Sequence, residues 1–302
     1  MRPARVLALA GVVGGAALAL SIATARAEGP PEPSYLGDAV CKACHEGLLE
    51  HYDGTVHAKV FTPENGRNAR MRQGCEGCHG PAGAHVVAAG QSFEGMIRFR
   101  LDGSEPVADQ NAVCMDCHEG GERVYWAGSE HESADVACGT CHHVMKAKSR
   151  SAMLSAASET DACTQCHLMP RSQLYRNAHM PVREGKMSCS SCHNPHGSIA
   201  DHLISDHTTN DNCYRCHAEK RGPFLWEHPP VYEDCMNCHV PHGSTRESML
   251  KTSMPRLCQQ CHRAHGPSAR PPDSLFVVGS SCLQCHPQVH GSNHPSGDRL
   301  TR

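Results

Sequence analysis

The chain has 302 residues, a net charge of −3, 4% aromatic residues, 27 glycines and 20 prolines. So balanced a charge with no basic patch excludes nucleic acid and anionic lipid as partners. So few aromatics and so many helix breakers cannot bury enough protein surface to offset chain entropy, so the chain is either disordered or built around a core that is not made of side chains.

Residues 1–27 read as an export signal. Arg2 and Arg5 form a basic start, Val6 to Ala23 an apolar run, and Ala25-Arg26-Ala27 a small-residue cleavage site. A retained membrane anchor is disfavoured, because the run is rich in Ala and Gly and the cleavage site follows at once. No cysteine near that site offers a lipid anchor, and no later stretch is long and apolar enough to span a bilayer, so no direct lipid insertion is expected after cleavage. The leader carries three arginines and no acid, so its loss makes the chain more acidic. Residues 28–40 form a Pro-rich lead-in.

Ten Cys-x-x-Cys-His runs follow. The first five are Cys41, Cys44, His45; Cys75, Cys78, His79; Cys114, Cys117, His118; Cys138, Cys141, His142; and Cys163, Cys166, His167. The second five are Cys189, Cys192, His193; Cys213, Cys216, His217; Cys235, Cys238, His239; Cys258, Cys261, His262; and Cys282, Cys285, His286. This is the attachment signature of c-type haem: two thiols three apart each bond a vinyl group, and the next histidine becomes the proximal ligand of the iron. The ten runs use all 20 cysteines, leaving none for a disulfide or a nucleophile. Ten porphyrins then supply the missing apolar core.

The runs alternate in their surroundings, giving a two-haem unit used five times. The units pair Cys41 with Cys75, Cys114 with Cys138, Cys163 with Cys189, Cys213 with Cys235, and Cys258 with Cys282. Each unit has a histidine in its connector (His57, His131, His179, His228, His265) and another trailing its second run (His85, His143, His196, His242, His290). These ten match the number of distal ligands needed for bis-histidine coordination of every haem. Cys-His-x-Pro-His-Gly occurs twice, at His196 and His242. His143 adjoins His142 and must serve a different haem, with His202 and His207 as rivals; His294 competes with His290, and His51 is left over.

Between the runs, short Gly- and Pro-rich connectors allow short α-helices in a mostly irregular chain, with little or no β-sheet. Ser149 to Thr160 and Gly47 to Val60 are predicted helices, and Gly90 to Ala112 a small hairpin or cap. Trp126 and Trp226 occupy parallel places before His131 and His228 and are read as packing a connector on a haem face.

Other readings of the same residues fail on chemistry. A zinc knuckle needs four ligands and no histidine after every second cysteine. A thioredoxin-like site needs one run on a strand-helix unit, and disulfide scaffolds are not ten identical close pairs. Met71, Met180 and Met236 have no recurring place and read as gap fillers rather than axial ligands. With both axial positions filled by protein, an iron binds no small substrate and is suited to electron transfer. No catalytic residue is assigned. Regular close spacing implies a continuous array along which electrons hop. A soluble periplasmic donor to a terminal reductase is the alternative. A multihaem reductase is a third reading, but it requires a five-coordinate iron, often signalled by a Lys-ligated run, and all ten runs end in His.

From Cys41 to His290, the run count, the export signal, the length and stretches such as Cys189–Gly197 and Cys235–Gly243 resemble the MtrA/DmsE-type decahaem cytochromes. The resemblance implies an elongated protein around a near-linear haem chain, in two pentahaem halves, 41–167 and 168–290, before a polar tail, 291–302. It also implies a periplasmic protein seated partly in an outer-membrane β-barrel porin, exchanging electrons with periplasmic or inner-membrane redox proteins and with an outer-surface multihaem cytochrome.

Overall fold

Each Cys-x-x-Cys-His run folds as a single helical turn, closed by a bond from the histidine N–H to the carbonyl of the first cysteine four residues back, as in His79 to Cys75 at 3.0 Å and His217 to Cys213 at 2.9 Å. One turn sets positions i and i+3 on one face with i+4 beside them, so the geometry of attachment is local. The computed structural model describes residues 34–179, 182–262, 281–295 and 297–301.

The first run of each unit sits on a short helix: Asp38–Cys44, Val107–His118, Glu159–Thr164, Thr209–Tyr214 and Arg256–Gln259. Two are started by a hydroxyl cap, Ser158 accepting from Asp161 N–H and Thr208 from Asp211 N–H. The second runs are tighter, single turns at Glu76–His79, Cys138–Cys141, Cys189–Ser191, Cys235–Asn237 and Cys282–Gln284. Among the described residues there is no sheet, only isolated antiparallel bridges. Among the described residues nine hydrophobic ones are buried, including Phe61, Trp126, Leu154, Leu174 and Leu257; they are scattered along the chain, and none of the large side chains described is fully buried. Short helices and irregular chain without a protein core therefore stand as the composition predicts.

Three local expectations are corrected. Ser149 to Thr160 is not a helix: Ala152 and Met153 both have φ of +50°, and a helix begins only at Glu159. Gly47 to Val60 is two helices, Glu46–Tyr52 and Val56–Val60, broken where Thr55 turns extended to cap the second. The stretch from Gly90 forms no hairpin; it runs irregularly to Pro106, and Val107–His118 follows as the longest described helix.

The broken segment at Ala152 is a repeated device. Ala152-Met153, His202-Leu203 and Ser248-Met249 are all left-handed pairs. Each is followed by a residue bridged to the proximal histidine: Leu154 to His142, Ile204 to His193, Leu250 to His239. A non-glycine residue held left-handed costs roughly 1–2 kcal/mol, so the surrounding contacts must fix it.

Candidate haem sites

The left-handed pairs aim a carbonyl at each proximal ring. Nδ1–H of His142 donates to Ala152 O at 2.6 Å, that of His193 to His202 O at 2.9 Å, and that of His239 to Ser248 O at 2.8 Å. His79 donates likewise to Ile97 O at 3.0 Å, and His286 to Arg299 O. A proton fixed on Nδ1 leaves the Nε2 lone pair free, the tautomer an iron needs. His202, considered above as a distal ligand, instead serves His193 through its backbone.

Eight distal histidines stand opposite run histidines, five with near-parallel rings and three with rings tilted or edge-on. Ring centroids lie 6.2 Å apart for His45 and His85, 6.0 Å for His57 and His118, 6.0 Å for His131 and His167, and 5.9 Å for His142 and His196. The separations are 6.2 Å for His179 and His217, 6.0 Å for His193 and His242, 6.0 Å for His228 and His262, and 6.2 Å for His239 and His290. A metal–imidazole bond of about 2 Å, plus about 1.2 Å from nitrogen to ring centre on each side, puts two imidazoles sharing one metal about 6.3 Å apart. The rings are spaced for an iron between them. Burial holds His57, His79, His179, His196, His228, His242 and His290 below the usual imidazole range, hence neutral and free to ligate.

Apart from His85, which faces His45 of its own unit, the pairing follows an exchange rule. The connector histidine of one unit faces the first run of the next unit, and the trailing histidine of that next unit faces the second run of the unit before. His131 and His196 thus cross between the second and third units, His179 and His242 between the third and fourth, and His228 and His290 between the fourth and fifth. The crossing is built from backbone bonds: His131 Nδ1–H donates to Pro195 O at 2.7 Å and His228 Nδ1–H to Val289 O at 3.0 Å. Asn177 bridges Ser244 and Trp226 bridges Ser292. The glycine after the trailing histidine makes the approach possible. Gly197 at φ +118° and Gly243 at φ +128° have no room for a Cβ, which would strike the carbonyl oxygens of Tyr125 and Gln173.

One described distal candidate is not brought to a partner. His143 makes no ring contact with a run histidine among the described residues, and His79 meets Phe99 edge-on instead. His265 lies outside the described residues, as does Met180. His51 sits in the last turn of Glu46–Tyr52.

A further set of residues was missed in sequence. Three residues before the first run of a unit, a side chain clips the second run: Asp38 Oδ1 accepts from Cys75 N–H at 2.7 Å, Asn111 Oδ1 from Cys138 N–H at 2.8 Å, and Asn210 Oδ1 from Cys235 N–H at 2.7 Å. Thr160 at the same place hydrogen-bonds Cys189. The signal was available as a polar residue at a constant offset, but nothing in sequence says what it reaches. These clips bring together the first cysteines of four units, Cys41 with Cys75, Cys114 with Cys138, Cys163 with Cys189 and Cys213 with Cys235, and Cys258 neighbours Cys282 without one. Between units, Cys78 lies within electrostatic reach of Cys117, Cys141 of Cys166, Cys192 of Cys213, and Cys238 of Cys261. Every run therefore adjoins the next in chain order.

The space beside the rings suits a large apolar cofactor. A cavity of about 760 Å³ is lined by His179, Cys216, His217, Met187 and Met249 together with Arg176 and Arg183, within the size range of cofactor pockets. Leu168 and Met169, next to His167, are largely exposed apolar side chains. Trp126 borders a smaller cavity with Ala112 and Met115, beside Cys114.

Over 290 residues the chain is 43% identical to the multiheme cytochrome MtrA of Shewanella baltica (strain OS185), an alignment covering 91% of this chain and 84% of the relative. The chain belongs to the MtrA family of multihaem cytochromes. As a member of that family it binds haem c through its Cys-x-x-Cys-His runs and transfers electrons. The doubled CXXCH motif matches residues 179–222 and 228–267, and the NrfB-like cytochrome c-type protein matches residues 75–166. In this MtrA-family chain each doubled match opens on a connector histidine and contains its ring partner, His179 with His217 and His228 with His262.

Proposed function

We propose that the ten runs hold ten haems c, each between two imidazoles, and that the array conducts electrons between the periplasm and the outer membrane or cell exterior. When bound, haem c supplies a one-electron iron couple. The carrying observation is the adjacency of consecutive runs from Cys41 to Cys282, which leaves no gap in the succession of attachment points. The chain's own residues do the rest. Paired imidazoles close both axial positions against oxygen, nitrite or other small ligands, which favours a carrier over a reductase. The Nδ1–carbonyl bonds keep the second-run rings, and those of His85, His131 and His228, aimed whichever charge the iron carries. The exchange rule assigns His143 to the site of His79, and by its reversal at the chain's end His265 to that of His286.

Removal of residues 1–27 puts the chain in the periplasm. There, two five-run halves, 41–167 and 168–290, form a near-linear conductor seated at an outer-membrane β-barrel porin, whose polar lumen crosses an otherwise insulating bilayer. Periplasmic or inner-membrane redox proteins serve one end and an outer-surface multihaem cytochrome the other. Co-purification with a β-barrel from detergent-extracted outer membranes is the expected result. Recovery solely in the soluble periplasmic fraction overturns the conduit in favour of a soluble donor, and a high-spin ferric EPR signal in the pure protein overturns the all-bis-histidine assignment.

A further inference from the structure

Among the described residues, the one ionisable side chain in the buried class is Glu76, at 2% exposure. It follows Cys75 inside the second run. Its Oε2 accepts the N–H groups of Leu36 and Gly37, both at 2.8 Å, and its Oε1 that of Ala82 at 2.9 Å. Three N–H donors thus converge on its two oxygens, matching the acceptor sites of a carboxylate. They also tie the segment before Cys41, the second run and the approach to His85 into one body. A second carboxylate, Asp38, accepts from Cys75 N–H and stands 4.0 Å from the half-exposed ammonium of Lys42.

The other four units carry no acid at either place. Asn111, Thr160, Asn210 and Pro255 correspond to Asp38, and Gly139, Ser190, Met236 and Leu283 to Glu76. Glu159 lies within 4.8 Å of the Cys163 and Cys189 sulphurs and Asp234 near Cys235, but both are half-buried like Asp38, so that Glu76 alone is shielded from water. On the first unit, burial, Glu76 and Asp38 in that order push the Cys41 thiol up, so the field of both carboxylates is felt at an attachment sulphur. Arg70, the cation whose charge reaches Cys78 of the second run, donates to Gly77 O and is ion-paired with Asp116.

We propose that Glu76, assisted by Asp38, lowers the reduction potentials of the two haems of the first unit and so biases the N-terminal end of the conductor toward its ferric state. The inference rests on the haem reading of the runs. A ferric site carries one more positive charge than a ferrous one, and an anion fixed where water is scarce stabilises the more positive state. An electron leaving the first unit for the second, oxidising one and reducing the other, then moves downhill.

The test uses the full-length mature holoprotein with Glu76→Gln, Asp38→Asn and the reciprocal Asn111→Asp. Haem count is taken by pyridine haemochrome and intact mass, and potentials by spectroelectrochemical titration. For Glu76→Gln, the fifth of the absorbance belonging to two haems of ten is expected to become about tenfold more reduced at fixed electrode potential, a rise of 59 mV for a one-electron couple. Asp38→Asn is expected to give a smaller rise, since Lys42 offsets that charge, and Asn111→Asp a fall confined to the second unit. A full haem complement with titrations superimposable on the wild type, or shifted the opposite way, overturns the proposal. Fewer than ten haems in the wild type overturns the underlying haem reading instead. If Glu76→Gln does not accumulate, the other two variants decide, because Asp and Asn at that place already serve equivalent units of this chain.

Discussion

Replacing His196 by alanine is predicted to open the site of His142, not that of His193 three residues before it. The rings of His142 and His196 stand 5.9 Å apart, while His193 already faces His242 at 6.0 Å. One site of ten loses a ligand, so about a tenth of the haem becomes high-spin and nine-tenths stays low-spin, as counted by ferric EPR against total haem. The neighbouring site is spared: His131 is aimed by the backbone carbonyl of Pro195, which the substitution leaves in place. Its origin is traced by repeating His196→Ala where one attachment has been removed. With Cys138 and Cys141 replaced by alanine, the new high-spin signal should be absent because its iron is gone. With Cys189 and Cys192 replaced, it should persist undiminished. The reverse outcome refutes the exchange rule and with it the assignment of every distal ligand.

Asn210→Ala removes an acceptor from Cys235 N–H and donors to Val231 O and Tyr232 O in a side chain 6% exposed. It should cost about 2 kcal/mol or more, read as a lowered thermal midpoint of the holoprotein, with Asn210→Asp recovering part of the loss through its retained acceptor. Gly243→Ala should loosen the crossing at Gln173 and Ala178 and produce a high-spin fraction from the His193 site, whereas Gly47→Ala, in open space with an ordinary backbone, should leave the spectrum unchanged. His202→Asn should keep every haem low-spin, since the carbonyl that holds His193 belongs to the backbone and asparagine tolerates φ of +59°; a new high-spin signal would show the ring to be a ligand after all.

How far each feature could be read in advance follows from its range along the chain. A run from Cys75 to His79 closes within one helical turn, so residue types at i, i+3 and i+4 are enough to specify it, and the absence of a protein core follows from composition alone. The helix expected at Ser149 to Thr160 failed because Ala152 and Met153 are held left-handed by their bonds around His142, a demand that helix propensity does not register. The clips at Asp38, Asn111 and Asn210 passed unnoticed for a similar reason, since their partners lie 37, 27 and 25 residues away.

Ten attachment turns, ten spare imidazoles in five units and a chain unable to fold on its own side chains were all determined by the sequence, because each is a matter of local spacing or of composition. Which imidazole faces which turn was decided only in three dimensions. His131 is oriented by a carbonyl 64 residues away, and such a crossing depends on two loops meeting, with a glycine where they touch. No local pattern encodes that meeting, since the same histidines at the same intervals are compatible with capping within a unit or between units.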